Sequence, residues 1–133
     1  MNPTITHSWL CDQIVEDSQV GIIFADEGGM IRLWNSGAEA MFGYTAAEAI
    51  GQSMEMIIPE RQRARHNEGY ARVMQTGITK YGRDVLAVPA LRKDGTRISI
   101  EFTIVLVWDK RQRGYRTMGY RIAEAQTVMQ VTP

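Results

Sequence analysis

The 133-residue sequence contains a single cysteine, Cys11. One cysteine excludes a disulfide within the chain and any zinc site that needs several cysteines, and it is typical of a reducing compartment. Long apolar runs are also absent, because the longest, residues 104–108, falls far short of the roughly 20 residues that span a bilayer. The first residues lack the basic start and apolar stretch of a signal peptide. We therefore expect a soluble, cytoplasmic domain with no membrane partner.

The chain has no net charge, since 15 acidic side chains balance 15 basic ones. Residues 1–60 carry nine acidic and one basic side chain, whereas residues 61–133 carry 14 basic and six acidic ones. We expect the two halves to attract each other within one fold. The basic residues fall in two separated segments, 61–72 and 110–121, and not in one patch with aromatic partners. The sequence therefore predicts no nucleic-acid partner.

Apolar periodicity predicts one domain with strands at both ends and helices between them. The predicted helices cover residues 8–18, 36–43, 45–51 and 59–75, and the predicted strands cover 20–25, 30–35, 84–91, 97–107 and 115–123. Ser8 is the candidate N-cap of the first helix, Thr45 and Glu48 form a capping box, and Asp94-Gly95 predicts a hairpin turn. Strict alternation in residues 97–107 predicts one buried face and one wet face. This order is typical of an α+β fold in which helices cover one face of an antiparallel sheet, leaving a pocket beneath the longest helix.

Residues 28–44 resemble the opening of a PAS domain, in which a strand ends in Trp-Asn and a helix follows with Ala-Glu and Phe-Gly-Tyr. The phrases at 48–51, 58–60 and 92–96 continue the resemblance in the same order, so that it covers about residues 15–108. It implies a five-stranded antiparallel sheet of order 2-1-5-4-3, with short helices and one longer helix on one face. It also implies a sensory or dimerising input module that acts on an effector domain or partner kinase.

The resemblance divides the chain into an N-terminal flanking helix (1–18), the PAS domain (19–123) and a C-terminal tail (124–133). In the flanking helix, an apolar stripe has to be covered by the sheet or by a second copy of the chain. We expect a homodimer through the apolar residues of that helix, which are Trp9, Leu10, Ile14 and Val15.

His66 is the one candidate for chemistry, because it shares a face of the long helix with Tyr70, at a spacing of four residues. A histidine on an apolar inward face either fills a core position as a neutral imidazole or binds a metal. The spacing alone does not choose between these two roles.

The segment around His66 is similar to the heme-binding PAS domains of oxygen-sensing histidine kinases and phosphodiesterases. The resemblance implies that His66 is the proximal iron ligand of a heme b and that Tyr70 lies in the same pocket. It places Arg72 near a heme propionate. It also places Leu86, Phe102 and Ile104 on the distal wall.

Two positions depart from that pattern. Leu86 stands where the kinases place an oxygen-binding arginine, and Asp84 stands where the phosphodiesterases place a methionine ligand. We therefore expect a five-coordinate or water-ligated heme that favours CO or NO relative to O2, because bound O2 gains most from a polar donor. Tyr81 or Arg83 would change this expectation by supplying a donor.

Two alternatives stay open for this domain. In the first, His66 has a structural or surface role, and the domain is a ligand-free module for dimerisation or protein interaction. In the second, the pocket takes another small molecule, such as noncovalent FAD. An enzyme is not expected, because no nucleophile–histidine pair, catalytic carboxylate pair or phosphate-binding glycine loop occurs.

Overall fold

The structure, a computed structural model, describes residues 5–79, 84–109 and 115–124. Its elements are α1 (His7–Asp17), β1 (Gly21–Ala25), β2 (Ile31–Trp34), α2 (Ser36–Phe42), α3 (Ala46–Ala49), the 3₁₀ helix η1 (Met54–Ile57), α4 (Glu60–Thr76), β3 (Leu86–Leu91), β4 (Arg97–Asp109) and β5 (Tyr115–Glu124). Of the predicted tail, only Glu124 is described. Within these ranges, no helix combines the length and the apolar character that crossing a bilayer requires.

The five strands form one antiparallel sheet in the order β2-β1-β5-β4-β3, which confirms the predicted fold class. The last strand of the chain is central, since β5 pairs with β1 on one side and with β4 on the other. The first strand after α4, β3, lies at the edge. Pro89 is accommodated there because an edge strand leaves one row of N–H groups without a ladder partner.

Local sequence signals set the ends of the helices. The predicted capping box of α3 is present, with the Thr45 side chain accepting from the Glu48 N–H and Glu48 accepting from the Thr45 N–H. Helix α1 begins one residue earlier than predicted. Its cap is Thr6 and not Ser8, because the Thr6 hydroxyl accepts from the Trp9 N–H at 3.0 Å.

A buried asparagine ties the start of the chain to the sheet. The Asn35 Oδ1 accepts from the N–H groups of Ile22 and Ala38, at 2.8 and 3.0 Å. Its Nδ2 donates to the carbonyl groups of Val15 and Val20, at 2.7 and 2.9 Å. Because the side chain is fully buried, these bonds satisfy an amide that would otherwise destabilise the core.

The core lies on the sheet face that α2, α3 and η1 cover, and its burial decreases along β4. Ile98 and Ile100 are buried, but the next inward residue, Phe102, is only partly buried. The same holds for Ile104 and Leu106. The predicted alternation is therefore confirmed, yet the inward face is fully covered only at one end.

Candidate ligand site beneath helix α4

Helix α4 is fixed at its ends and only lightly packed between them. The Arg63 Nε donates to the Ile58 carbonyl at 2.9 Å, and the helix ends at Gly77, whose φ of 72° favours glycine. Of its 17 residues, only Tyr70 is buried. Val73 and Met74 are partly buried against the core. Most helical stability in proteins comes from such burial, so α4 is weakly held.

His66 points from α4 toward the turn between β1 and β2. It is half-buried, and its ring centroid lies 5.8 Å from that of Tyr70. Together with Asn67 and Ala71, both residues line a cavity of about 190 Å³ whose other wall is formed by residues 27–29 and 53–55. The spacing argument therefore placed His66 and Tyr70 correctly on one face of the helix.

The hydrogen bonds around His66 determine which ring nitrogen carries the proton. The Asn67 Nδ2 donates to the Glu55 Oε1 at 2.6 Å, so that the Asn67 Oδ1 faces the His66 Nδ1 at 3.3 Å. An amide oxygen only accepts, and therefore the His66 Nδ1 carries the hydrogen in the neutral ring. The Nε2 keeps its lone pair. A histidine that ligates a metal through Nε2 needs this tautomer, held by an acceptor on Nδ1.

Burial keeps this imidazole neutral. Desolvation lowers the pKa of His66 below its ordinary value of 6.5, against the smaller opposing effects of the Asn67 hydrogen bond and the Glu55 charge. At neutral pH the ring is therefore unprotonated. Its Nε2 is available as a ligand without losing a proton first.

Tyr70 connects α4 to the β1–β2 turn, because its hydroxyl donates to the carbonyl of Asp26. The Asp26 carboxylate organises that turn by accepting from the Gly28 and Met30 N–H groups at 3.0 Å each and from the Arg32 Nε at 2.7 Å. Burial raises the pKa of Asp26, but the Arg32 and backbone hydrogen bonds together outweigh it and lower the pKa below 3.8. This turn forms one wall of the cavity at His66.

Tyr120, on β5, is a site residue that sequence reasoning missed. It is only 6% exposed, and its ring lies 5.6 Å from that of Phe102 in an edge-to-face arrangement. Burial raises the pKa of Tyr120, with a smaller contribution from Tyr70, so the hydroxyl stays protonated. Among the described residues it has no hydrogen-bond partner. The alternation of Met118, Tyr120 and Ile122 was the available signal.

The other predicted site residues divide into two groups. Leu86 and Phe102 are opposite each other on β3 and β4, and Ile104 is opposite Tyr120, so these side chains share the inner sheet face. They do not line the cavity at His66. Arg72 is exposed on α4 and pairs with Glu68 at 3.3 Å. Tyr81 and Arg83 lie outside the described residues.

The chemistry of the donor atoms fits a heme at this site, but the space available does not. A neutral imidazole with a free Nε2 fits an iron ligand, and the partly buried apolar residues of the inner sheet face fit a tetrapyrrole face. The cavity of about 190 Å³ is below the roughly 300–1,000 Å³ of ligand pockets, and Glu27 and Glu55 line it. A heme therefore fits these residues only if α4 moves away from the sheet.

A model of the PAS fold matches residues 10–118 of this chain. The chain belongs to the PAS family. The solved PAS domain from Colwellia psychrerythraea superposes on it with a TM-score of 0.72 at 21% identity, covering 87% of this chain and 94% of that one. This PAS domain therefore has the family fold across nearly its whole length, as its strand order already indicated.

Curated relatives of this chain include sensor proteins. The chain is 35% identical to the sensor protein FixL of Bradyrhizobium diazoefficiens over 86 residues. This aligned region covers 62% of this chain and 16% of FixL. The chain is 26% identical to the oxygen sensor protein DosP of Escherichia coli over 90 residues. This aligned region covers 68% of this chain and 11% of DosP. The chain thus spans less than a fifth of the curated relatives that it matches. This PAS domain corresponds to one sensory domain of such longer signalling proteins.

Proposed function

We propose that this PAS domain is the input module of a signalling protein and that it binds heme b through His66. Its relatives FixL and DosP are a sensor and an oxygen sensor, which supports the first part. The observation that carries the second part is the state of His66: a half-buried, neutral imidazole whose Nδ1 is held by Asn67. A bound heme would supply an iron that takes up a diatomic gas. In this proposal the domain itself performs no catalysis.

Binding requires the layer beneath α4 to open, because the cavity at His66 is smaller than a tetrapyrrole needs. The contacts that oppose opening are few: Tyr70 is the one buried residue of α4, its hydroxyl bonds to the carbonyl of Asp26 in the turn, and Asn67 bonds to Glu55 on η1. The residues that would then face the ligand are Leu86, Phe102 and Ile104 on the sheet. Arg72, on the exposed side of α4, would serve a propionate by leaving Glu68.

The side chains on the inner face of the sheet determine which gas a bound heme favours. Leu86 carries no hydrogen-bond donor, and a bound O2 gains most from such a donor. We therefore expect the loaded protein to favour CO or NO relative to O2. Replacing Leu86 with arginine should increase O2 affinity more than CO affinity, which a comparison of the two dissociation constants would measure.

The test of heme binding is a titration of the purified protein with hemin, followed by visible absorption. A Soret band that saturates at one heme per chain is expected, together with its loss or displacement in His66→Ala. The matched control is His7→Ala, which removes the other histidine of the chain from an exposed position on α1. Absence of a saturable band, or an identical band in His66→Ala, would contradict heme ligation by His66.

A second candidate is a ligand-free interaction module. The small cavity and the bond from Tyr70 to Asp26, which closes the layer beneath α4, favour it. A protein that stays colourless with hemin, yet folds and associates with its partner domain, would establish this function in place of gas sensing.

The proposed module acts as a homodimer through α1. Leu10 and Ile14 lie one turn apart on that helix and are 43% and 67% exposed. Trp9 is also exposed, but it is rotated about 100° around the helix axis from Leu10. Val15 is half-buried, and its carbonyl accepts a hydrogen bond from Asn35. We therefore place the contact on the face that carries Leu10 and Ile14.

Light scattering over a range of concentrations would measure this association. Ile14→Glu is expected to shift the mass toward the monomer. Ile78→Glu, at an equally exposed isoleucine beyond α4, is the control and should leave the mass unchanged. An unchanged mass in Ile14→Glu would refute the α1 contact.

A further inference from the structure

Helix α4 carries a buried polar atom that has no hydrogen-bond partner. It is the Oε1 of Gln62, which accepts no hydrogen bond from any described residue although the atom is closed off from solvent. The backbone N–H of Gln62 donates to the Pro59 carbonyl at 2.9 Å, so the first turn of the helix is formed and the unpaired atom belongs to the side chain. Neither the ligation of iron by His66 nor the contact of Tyr70 with the β1–β2 turn uses this side chain.

Gln62 lies on the face of α4 that meets the rest of the domain. At about 100° per residue, it falls about 20° from Val73 and about 40° from His66 around the helix axis. Val73 packs against the core, whereas Gln62 and His66 bring polar groups to the first half of the same face. An apolar residue at position 62 would extend the contact of Val73 along the helix, but the sequence places a carboxamide there instead.

A carboxamide oxygen that is buried without a partner destabilises the closed position of α4. In water this oxygen accepts hydrogen bonds, and closure removes them without a replacement. Leaving a buried acceptor unpaired costs more free energy than one formed hydrogen bond contributes. This cost falls on a helix with only one buried residue, Tyr70, so little apolar burial offsets it.

We propose that Gln62 favours the opening of α4 and thereby determines how readily a ligand reaches His66. The oxygen is unpaired while α4 is closed, and water hydrates it once the helix moves away from the sheet. A ligand that binds only the open state has an apparent affinity that rises with the population of that state. This inference rests on the proposed ligand site beneath α4, but the effect of Gln62 on opening needs no ligand.

Hydrogen exchange of the full chain, without a ligand, tests the effect on opening. Gln62→Met replaces the carboxamide with an apolar chain of similar length and helix propensity. Amides of α4 should then exchange about 5- to 150-fold more slowly, which is the factor that corresponds to the cost of an unpaired buried polar group. Amides of β5 should slow as well, because global unfolding also hydrates the oxygen. Gln75→Met, at an exposed glutamine of the same helix, is the matched control and should leave both rates unchanged.

A hemin titration tests the consequence for the ligand. The hemin dissociation constant of Gln62→Met should rise by the factor by which α4 exchange slows. The Soret band should keep its position, because His66 is unchanged. If the wild-type protein binds no hemin, the heme part of the proposed function fails, and the exchange rates still decide the role of Gln62.

Three results would overturn the proposal. Unchanged or faster exchange of α4 in Gln62→Met would show that the carboxamide has a partner in solution. Slower exchange of β5 without a change in α4 would show that the opening of α4 does not release the oxygen. Slower exchange of α4 beside an unchanged hemin dissociation constant would show that the ligand does not enter through this opening.

Discussion

At the scale of single residues, Tyr70 on α4 and Tyr120 on β5 differ in what their hydroxyl groups do. The Tyr70 hydroxyl donates to the Asp26 carbonyl, whereas the side chain of Tyr120 is almost completely buried and no hydrogen bond joins its hydroxyl to another described residue. A buried hydrogen bond stabilises by about 0.5–1.5 kcal/mol, but an unpaired buried hydroxyl contributes nothing of this kind.

We therefore expect Tyr70→Phe to lower the free energy of unfolding by about 0.5–1.5 kcal/mol. Tyr120→Phe should leave it unchanged or raise it, because the substitution removes a polar group that burial has desolvated. Urea denaturation of both variants would measure the difference. An equal loss in the two variants would show that the Tyr120 hydroxyl has a partner in solution.

The Asp26 carboxylate predicts a pH dependence of stability. The pKa of Asp26 is lowered in the folded protein, so its contribution is present above the ordinary value of 3.8 and is lost as pH falls through that value toward the folded pKa. The unfolding free energies of wild type and Asp26→Asn should therefore differ most near pH 6 and converge at lower pH. A gap that is independent of pH would show that the pKa of Asp26 is the same in the folded and the unfolded chain.

At the scale of elements, Gly37 and Gly69 have opposite surroundings, so substitution by alanine should have opposite effects on stability at the two positions. A Cβ on Gly37, in α2, would lie 2.4 Å from the Val20 carbonyl oxygen, where the backbone of the chain before β1 passes over the helix. A Cβ on Gly69, in α4, would meet nothing within 4 Å.

Gly37→Ala should therefore destabilise the protein by about 1–3 kcal/mol or more, because backbone has to move. Gly69→Ala should stabilise it by about 0.5–1 kcal/mol through the lower cost of ordering alanine in a helix. Thermal melts of the two variants test both directions. A tolerated Gly37→Ala would mean that the chain before β1 is not held against α2.

Local patterns accounted for most elements, since their signals are short-range. The Thr45–Glu48 capping box, the Asp94-Gly95 turn and the alternation of β4 each predicted what the structure contains. The 3₁₀ helix η1 was not predicted, because its four residues complete too little periodicity to register. The central position of β5 followed from the resemblance and not from a local pattern, because its buried alternation covers only Met118, Tyr120 and Ile122.

The candidate site was predictable only where one helix determines it. His66 and Tyr70 are four residues apart on α4, so their common face follows from helical geometry. The link from Tyr70 to Asp26 spans 44 residues of sequence, and the contact of Phe102 with Tyr120 depends on the register of β4 against β5. No local pattern encodes such distances.

At the scale of the whole molecule, the stability of the fold is unevenly distributed. The central strands β1 and β5 carry Ile23, Ala25 and Ile122, all almost completely buried, whereas α1 has no buried residue and α4 has only Tyr70. Regions with little buried apolar surface open at a lower free energy than the core. The weakest part of the PAS fold therefore includes the helix that carries His66.

Hydrogen exchange should resolve this distribution. We expect amides of α1 and α4 to exchange through local opening, orders of magnitude faster than those of β1 and β5, which should require global unfolding. If heme enters beneath α4, hemin should slow exchange in α4 and leave α1 unchanged, because only α4 gains buried contacts from the ligand. His66→Ala should abolish that slowing. Equal protection of α4 and β5 in the hemin-free protein would instead mean that the layer is closed, and the interaction module would then be the better account of this domain.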